Sequence, residues 1–108
     1  MSALTTINEK TTLLVTAAFF DEDGIAATPS AATYRIHDRG TGTVIKAVTA
    51  LTGLSTTKQI EITSAENALV VAGAATEEHV LTLEWDYGGG RHGTDEYRWL
   101  VRNLVGVS

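Results

Sequence analysis

The chain reads as an all-β protein, an antiparallel sandwich of six or seven strands with one short helical turn. Three observations predict it. Side chains alternate at period two in run after run, most clearly in His79–Tyr87, HVLTLEWDY, and period two is strand geometry. Turn residues punctuate these runs roughly every dozen residues, as in sandwiches. No segment is long enough to serve as the helical crossover that joins parallel strands.

Leu81–Trp85 is the expected central strand. Leu81, Leu83, Trp85 and Tyr87 share one face, and Val80, Thr82, Glu84 and Asp86 share the other. The first face carries an indole and a phenol, large apolar areas that a small chain must bury. Val80 interrupts the polar face and predicts partial cover near the start of the strand.

The other elements follow in order. Leu4 and Ile7 anchor a brief edge strand or belong to a loose arm, and Asn8-Glu9-Lys10 reads as a turn. Thr11–Phe20 is a strand with Leu13, Val15, Ala17 and Phe19 inward; its β-branched and aromatic residues favour extended chain. Asp21-Glu22-Asp23-Gly24 is a turn, because aspartate bonds the backbone two residues on and glycine supplies positive φ. Ile25–Ser30 is a loop, and Pro29 restricts its neighbour just before the next strand without breaking a ladder.

Ala32–Asp38 turns Ala32, Tyr34 and Ile36 inward and Thr33, Arg35 and His37 outward. Arg39–Gly42 folds it back onto Thr43–Thr49, a weakly alternating edge strand guarded by Lys46, whose inner face the pattern leaves open. Ala50–Ser55 leads to Thr56–Thr63, with Ile60 and Ile62 inward. Ser64–Val70 is the helical turn, with Ser64 as its cap and Leu69 as a plug across one end of the sheets. After the Val71–Thr76 loop and the central strand, Gly88–Gly93 is a mobile connection or a hairpin tip. Asp95–Leu104 is the last strand, with Tyr97, Trp99 and Val101 on one face. Asn103–Ser108 is a tail. Residues 1–108 form one domain by length, with ends at 1–9 and 104–108 that dock or stay loose.

Composition narrows the function classes. The chain has no cysteine, which removes disulfides, thiolate metal sites and cysteine nucleophiles. Net charge is −5, from 8 basic and 13 acidic residues. Sequence-independent nucleic-acid binding needs a basic surface, and Arg91, Arg98 and Arg102 are the only local source of one. No apolar run approaches the roughly 20 residues that cross a bilayer. MSALTTINEK places no basic segment ahead of an apolar core, so it does not read as a secretory signal. The expectation is a protein made in the cytoplasm, with no nucleic-acid or membrane partner.

Candidate chemistry is sparse. Asp86, Glu84, Asp95 and Glu96 are the candidate carboxylates for an acid/base pair, and all fall on outward faces or loop ends. His37, His79 and His92 share no short spacing. His92 and Asp95 are close enough in sequence to bond, but no nucleophile or third ligand accompanies them. Asp21–Gly24 resembles half of a calcium loop and lacks its remaining oxygen ligands. Gly88-Gly89-Gly90 precedes a strand rather than a helix, so it is not a phosphate loop. Tyr97 and Trp99 are either core or an exposed stacking platform for sugars or bases. The reading is non-enzymatic, with no catalytic residues, cofactor or metal.

The barrel of the OB type, with five or six strands and one short helix, is the rival architecture, and the disulfide of antibody domains is absent. Even so, a strand ending in Phe20, then Asp21–Gly24, then Thr28-Pro29 ahead of Tyr34-Arg35-Ile36, resembles small immunoglobulin-like structural proteins of tailed bacteriophages. So do the insert Ser64–Leu69, Glu77–Thr82, and the ending Val101-Arg102-Asn103-Leu104-Val105. The resemblance spans nearly the whole chain, through turns and alternation. It implies an immunoglobulin-like β-sandwich that is a multi-copy virion component: a head decoration or cement protein, a head-to-tail connector in the neck, or a baseplate adaptor. The implied partners are the major capsid protein and portal, neck or tail subunits, and assembly would occur in the bacterial host's cytoplasm. Open sheet edges suit such contacts. The expected contact residues are Leu4 and Ile7 in the arm, Arg91 and His92 at the glycine loop, and Arg102 and Val105 at the end. A carbohydrate-binding or adhesion module using Tyr97 or Trp99 is the alternative.

Overall fold

The computed structural model describes residues 5–71 and 73–104. Among the described residues there are seven strands: β1 (Thr5–Asn8), β2 (Leu13–Ala18), β3 (Ala31–Asp38), β4 (Val44–Ala50), β5 (Thr57–Ile62), β6 (Thr76–Asp86) and β7 (His92–Arg102). Five form one sheet in the order β1-β7-β6-β3-β4, and β2 pairs with β5 in the other. The predicted central strand is the middle of the five. Leu81, Leu83 and Trp85 are buried, and so is Val80 on the opposite face, between its cross-strand partners His37 and Arg98.

The core lies between the two sheets. Phe19, Ile36, Ile62, Leu81, Leu83 and Val101 are fully enclosed, and Ala17, Ile60 and both tryptophans join them. Each of these residues sits on the face that alternation assigned to it. Phe19 of the smaller sheet meets Trp85 of the larger edge to face, with centroids 5.5 Å apart at 73°, a favoured aromatic geometry. The Ala18 N–H donates across the layers to the Tyr97 hydroxyl at 3.4 Å.

Four expectations need correction. No helix forms among the described residues; residues 64–68 make successive hydrogen-bonded turns. Their cap is Thr63, not Ser64: the Glu66 N–H donates to Thr63 Oγ1 at 3.3 Å and the Thr63 N–H donates to Glu66 Oε1 at 2.9 Å. This is the reciprocal pattern of a capping box, closed over too few residues to propagate a helix. The sheet is not purely antiparallel either, because β1 runs parallel to β7, with Thr5 opposite Trp99 and Asn8 opposite Arg102. A strand that crosses from one end of the sandwich to enter β2 in the other sheet has no hairpin to dictate its direction.

The last strand begins three residues before the expected Asp95, and the reason is Gly93. It lies opposite Trp85 in the ladder, and a Cβ there would enter the indole ring. The sequence makes Gly93 look like loop; the fold uses its bare backbone as the floor under Trp85. The tip is thereby shortened to residues 87–91, with the Arg91 N–H donating to the Gly88 carbonyl at 3.0 Å. Finally, β4 has no clean inner face because the β3–β4 ladder shifts register twice, between Tyr34 and Ile36 and again before His37. Ile45 packs on the core, while Val44 and Val48 are exposed. Bulges of this kind twist an edge away from new partners.

Candidate functional site

The β6–β7 hairpin runs the length of the sandwich, about 35 Å for 11 residues. Each end carries a histidine paired with a carboxylate. At the tip, His92 Nδ1 lies 2.7 Å from Asp86 Oδ1, and both side chains are about half exposed. The pair follows from register, since Asp86 and His92 face each other across the last rung. The sequence suggested Asp95 as the partner of His92; in an extended strand, residues three apart point to opposite faces.

The tip is otherwise built from exposed groups. Asp21 Oδ1 accepts the N–H groups of Asp23 and Ile25 at 2.9 and 3.0 Å, so its carboxylate serves the turn itself. Arg91 Nη1 lies 3.6 Å from Glu22. The Glu22 carboxyl is held below its ordinary range by its backbone N–H, the Tyr87 hydroxyl and Arg91, against desolvation and Asp21. Phe20, Asp21, Glu22, Tyr87, His92 and Asp95 line an open groove of about 440 Å³.

The other end is enclosed. Inward alternation along β6 runs back from Leu81 through His79 to Glu77, and along β3 forward from Ile36 to Asp38. Asp38 and His79 face each other in the ladder. All three are buried, with donor atoms within 4.8 Å of one another. His79 Nε2 lies 3.0 Å from Glu77 Oε1. The Glu77 carboxylate also accepts the Val70 N–H at 2.8 Å and the Val71 N–H at 2.6 Å, which pins the connection between β5 and β6. Asp38 Oδ2 accepts the Thr41 N–H at 3.0 Å and the Thr41 hydroxyl at 2.7 Å, closing the β3–β4 turn. Beside them Asn67, fully buried, accepts the Trp99 indole N–H at 2.9 Å and donates to the Thr11 carbonyl at 2.7 Å. The His79 and Trp99 rings meet edge to face at 6.1 Å.

The expected contact residues are divided between these ends. Arg91 and His92 are exposed at the tip. Arg102 is exposed at the opposite end, and Ile7, its near neighbour on β1, packs partly buried against the core. Leu4 and Val105 lie outside the described residues. Glu84, Asp86, Asp95 and Glu96 are exposed, as their outward positions implied. Trp99 is buried and Tyr97 half-buried, which takes away the flat aromatic face that glycan binding would need.

The buried triad was missed because it was sought as a short motif, and Asp38 is 39 residues from Glu77. The signal was the alternation itself: carrying each inward face two more residues reaches His79, Glu77 and Asp38. No family model matches the chain, and neither the curated proteins nor the solved structures include a match to it.

Proposed function

We infer that the chain is an immunoglobulin-like sandwich acting as a non-enzymatic structural component of a tailed-phage virion, binding neighbouring capsid, neck or tail subunits. The strand order supports the fold half of this reading. Lettered as in antibody domains, β7-β6-β3-β4 corresponds to G-F-C-C′ and β2-β5 to B-E, with β1 added beside G. The phage half rests on the resemblance of the turns and of the Phe20–Gly24 and Val101–Leu104 segments.

The observation that carries the binding role is the two-stranded sheet. Among the described residues, β2 and β5 pair only with each other, so each has one edge without a ladder. Leu14 and Phe20 stand exposed on and beside that sheet. Unpaired edges with apolar side chains are ready-made for strand addition by a neighbour. The β4 edge, by contrast, is bulged and carries Lys46.

The test is particle composition. The reading expects the chain in purified virions at a fixed multi-copy ratio to the capsid protein. It also expects Leu14→Lys, or removal of residues 2–4 and 105–108, to lower incorporation while leaving the isolated protein folded. Absence from purified particles would refute it.

A further inference from the structure

We propose that Asp38, Glu77 and His79 form a buried site for a divalent first-row transition-metal cation such as Zn²⁺. The donor set is one imidazole nitrogen and two carboxylates. Such a mixed nitrogen and oxygen set suits Zn²⁺ or Mn²⁺ rather than calcium, which takes oxygen alone. The three donor atoms already lie within 4.8 Å of one another. Ligands at 2.0–2.2 Å around a tetrahedral ion stand about 3.4 Å apart, so a small inward movement closes the site.

Charge points the same way. Two buried carboxylates face one histidine, and no Lys or Arg among the described residues forms an ion pair with Asp38 or Glu77. Buried charge is normally paired or bound to metal.

The independent observation is His79 Nδ1. The side chain is fully enclosed and this nitrogen has no hydrogen-bond partner. A neutral imidazole with its proton on Nε2 satisfies Glu77 and leaves Nδ1 a bare acceptor. With the proton on Nδ1, that N–H is orphaned, and two lone pairs, on Nε2 and Glu77 Oε1, confront each other at 3.0 Å. A cation on Nε2 replaces that confrontation with bonds to both the ring and Glu77 Oε1, and the ring proton then rests on Nδ1.

The surroundings hold the ligands in place. Thr41 fixes the Asp38 carboxylate through two hydrogen bonds, and the Val70 and Val71 N–H groups fix that of Glu77. Outer contacts of this kind orient metal ligands. The bound ion would join the β3–β4 turn, the connection before β6 and β6 itself, so its binding free energy would add to folding. A chain without cysteine has no disulfide to do this.

The full chain, stripped with chelator, is titrated with Zn²⁺ and with Mn²⁺. One of the two is expected to bind at one equivalent per chain and to raise Tm by several degrees, reversed by EDTA. Asp38→Asn, which keeps an acceptor for Thr41, and His79→Gln, which keeps a donor for Glu77, are expected to abolish both effects. His92→Gln at the opposite end is expected to bind as the parent does. If neither triad variant folds, Co²⁺ added to the parent decides: loss of the His79 ring resonances by paramagnetic broadening supports the site. Broadening confined to His92, no uptake of either ion, or undiminished uptake by a folded triad variant overturns the proposal.

Discussion

The two ends of the β6–β7 hairpin each hold a histidine–carboxylate pair of similar length, 3.0 Å for His79–Glu77 and 2.7 Å for His92–Asp86. The shorter contact is expected to be the weaker one. Both members of the tip pair are about half exposed, so water competes for each group and salt screens their attraction. The members of the enclosed pair are at most 5% exposed. There water cannot compete for the carboxylate, and removing it would strand the enclosed His79 ring. Distance therefore says little about these pairs until burial is known.

The contrast can be broken most directly at Glu77. Glu77→Ala leaves the Val70 and Val71 N–H groups and His79 without their acceptor, and a loss of about 3–5 kcal/mol is expected by chemical denaturation. If the variant loses no more than a surface substitution does, the enclosed end is not the stronger one. Trp99→Phe keeps an aromatic ring but removes the donor to Asn67 Oδ1. It should cost about 1–3 kcal/mol by the same measurement, with Asn67 left half satisfied.

Gly93→Ala tests whether the tip has a rigid part of its own. The added methyl must displace the Trp85 indole, and about 1–3 kcal/mol of destabilisation is expected. Gly89→Ala, three residues outside the ladder, meets no neighbour and loses only through its positive φ of 63°, about 1 kcal/mol. Equal losses would mean that the indole does not rest on Gly93. Asp86→Asn should change stability by less than about 1 kcal/mol, and what difference there is should fade as salt is raised.

The smallest effect is a pH dependence at Glu66. Burial pushes its carboxyl up, but the Thr63 N–H, Lys46 and the Thr63 hydroxyl outweigh it and hold it below its ordinary 4.5. Lys46 is raised by the same ion pair, chiefly through its bond to Glu66. A depressed carboxyl contributes stability that is full above 4.5 and is lost as pH falls through the depressed value. Glu66→Gln is expected to flatten the stability–pH curve in that acid window and to lower stability at neutral pH, where the charged form contributes in full.

Much of the strand pattern was legible because alternation is a local property. The inward faces of β2, β3, β5, β6 and β7 follow from side chains two residues apart, and burial selects the apolar set. Asp21–Gly24 was legible for the same reason, since aspartate and glycine act on their own backbone. The faces of β4 were not, because two register shifts break its period. Gly93 misled because a glycine under an indole and a glycine in a loop look alike in sequence. The Ser64–Val70 helix failed because a good cap cannot extend a helix that five residues must finish.

By itself the sequence determined a cysteine-free, acidic, all-β chain with one apolar face on each of β2, β3, β5, β6 and β7 and turns at Asp21–Gly24 and Arg39–Gly42. Those are consequences of bonds, charges and sterics within a few residues. Only the tertiary structure decided that β1 lies parallel to β7, that Trp85 rests on Gly93, and that Asp38 meets Glu77 and His79 inside the protein. These depend on which strands become neighbours and in what register, and such pairing is chosen by the whole core at once rather than by any one segment.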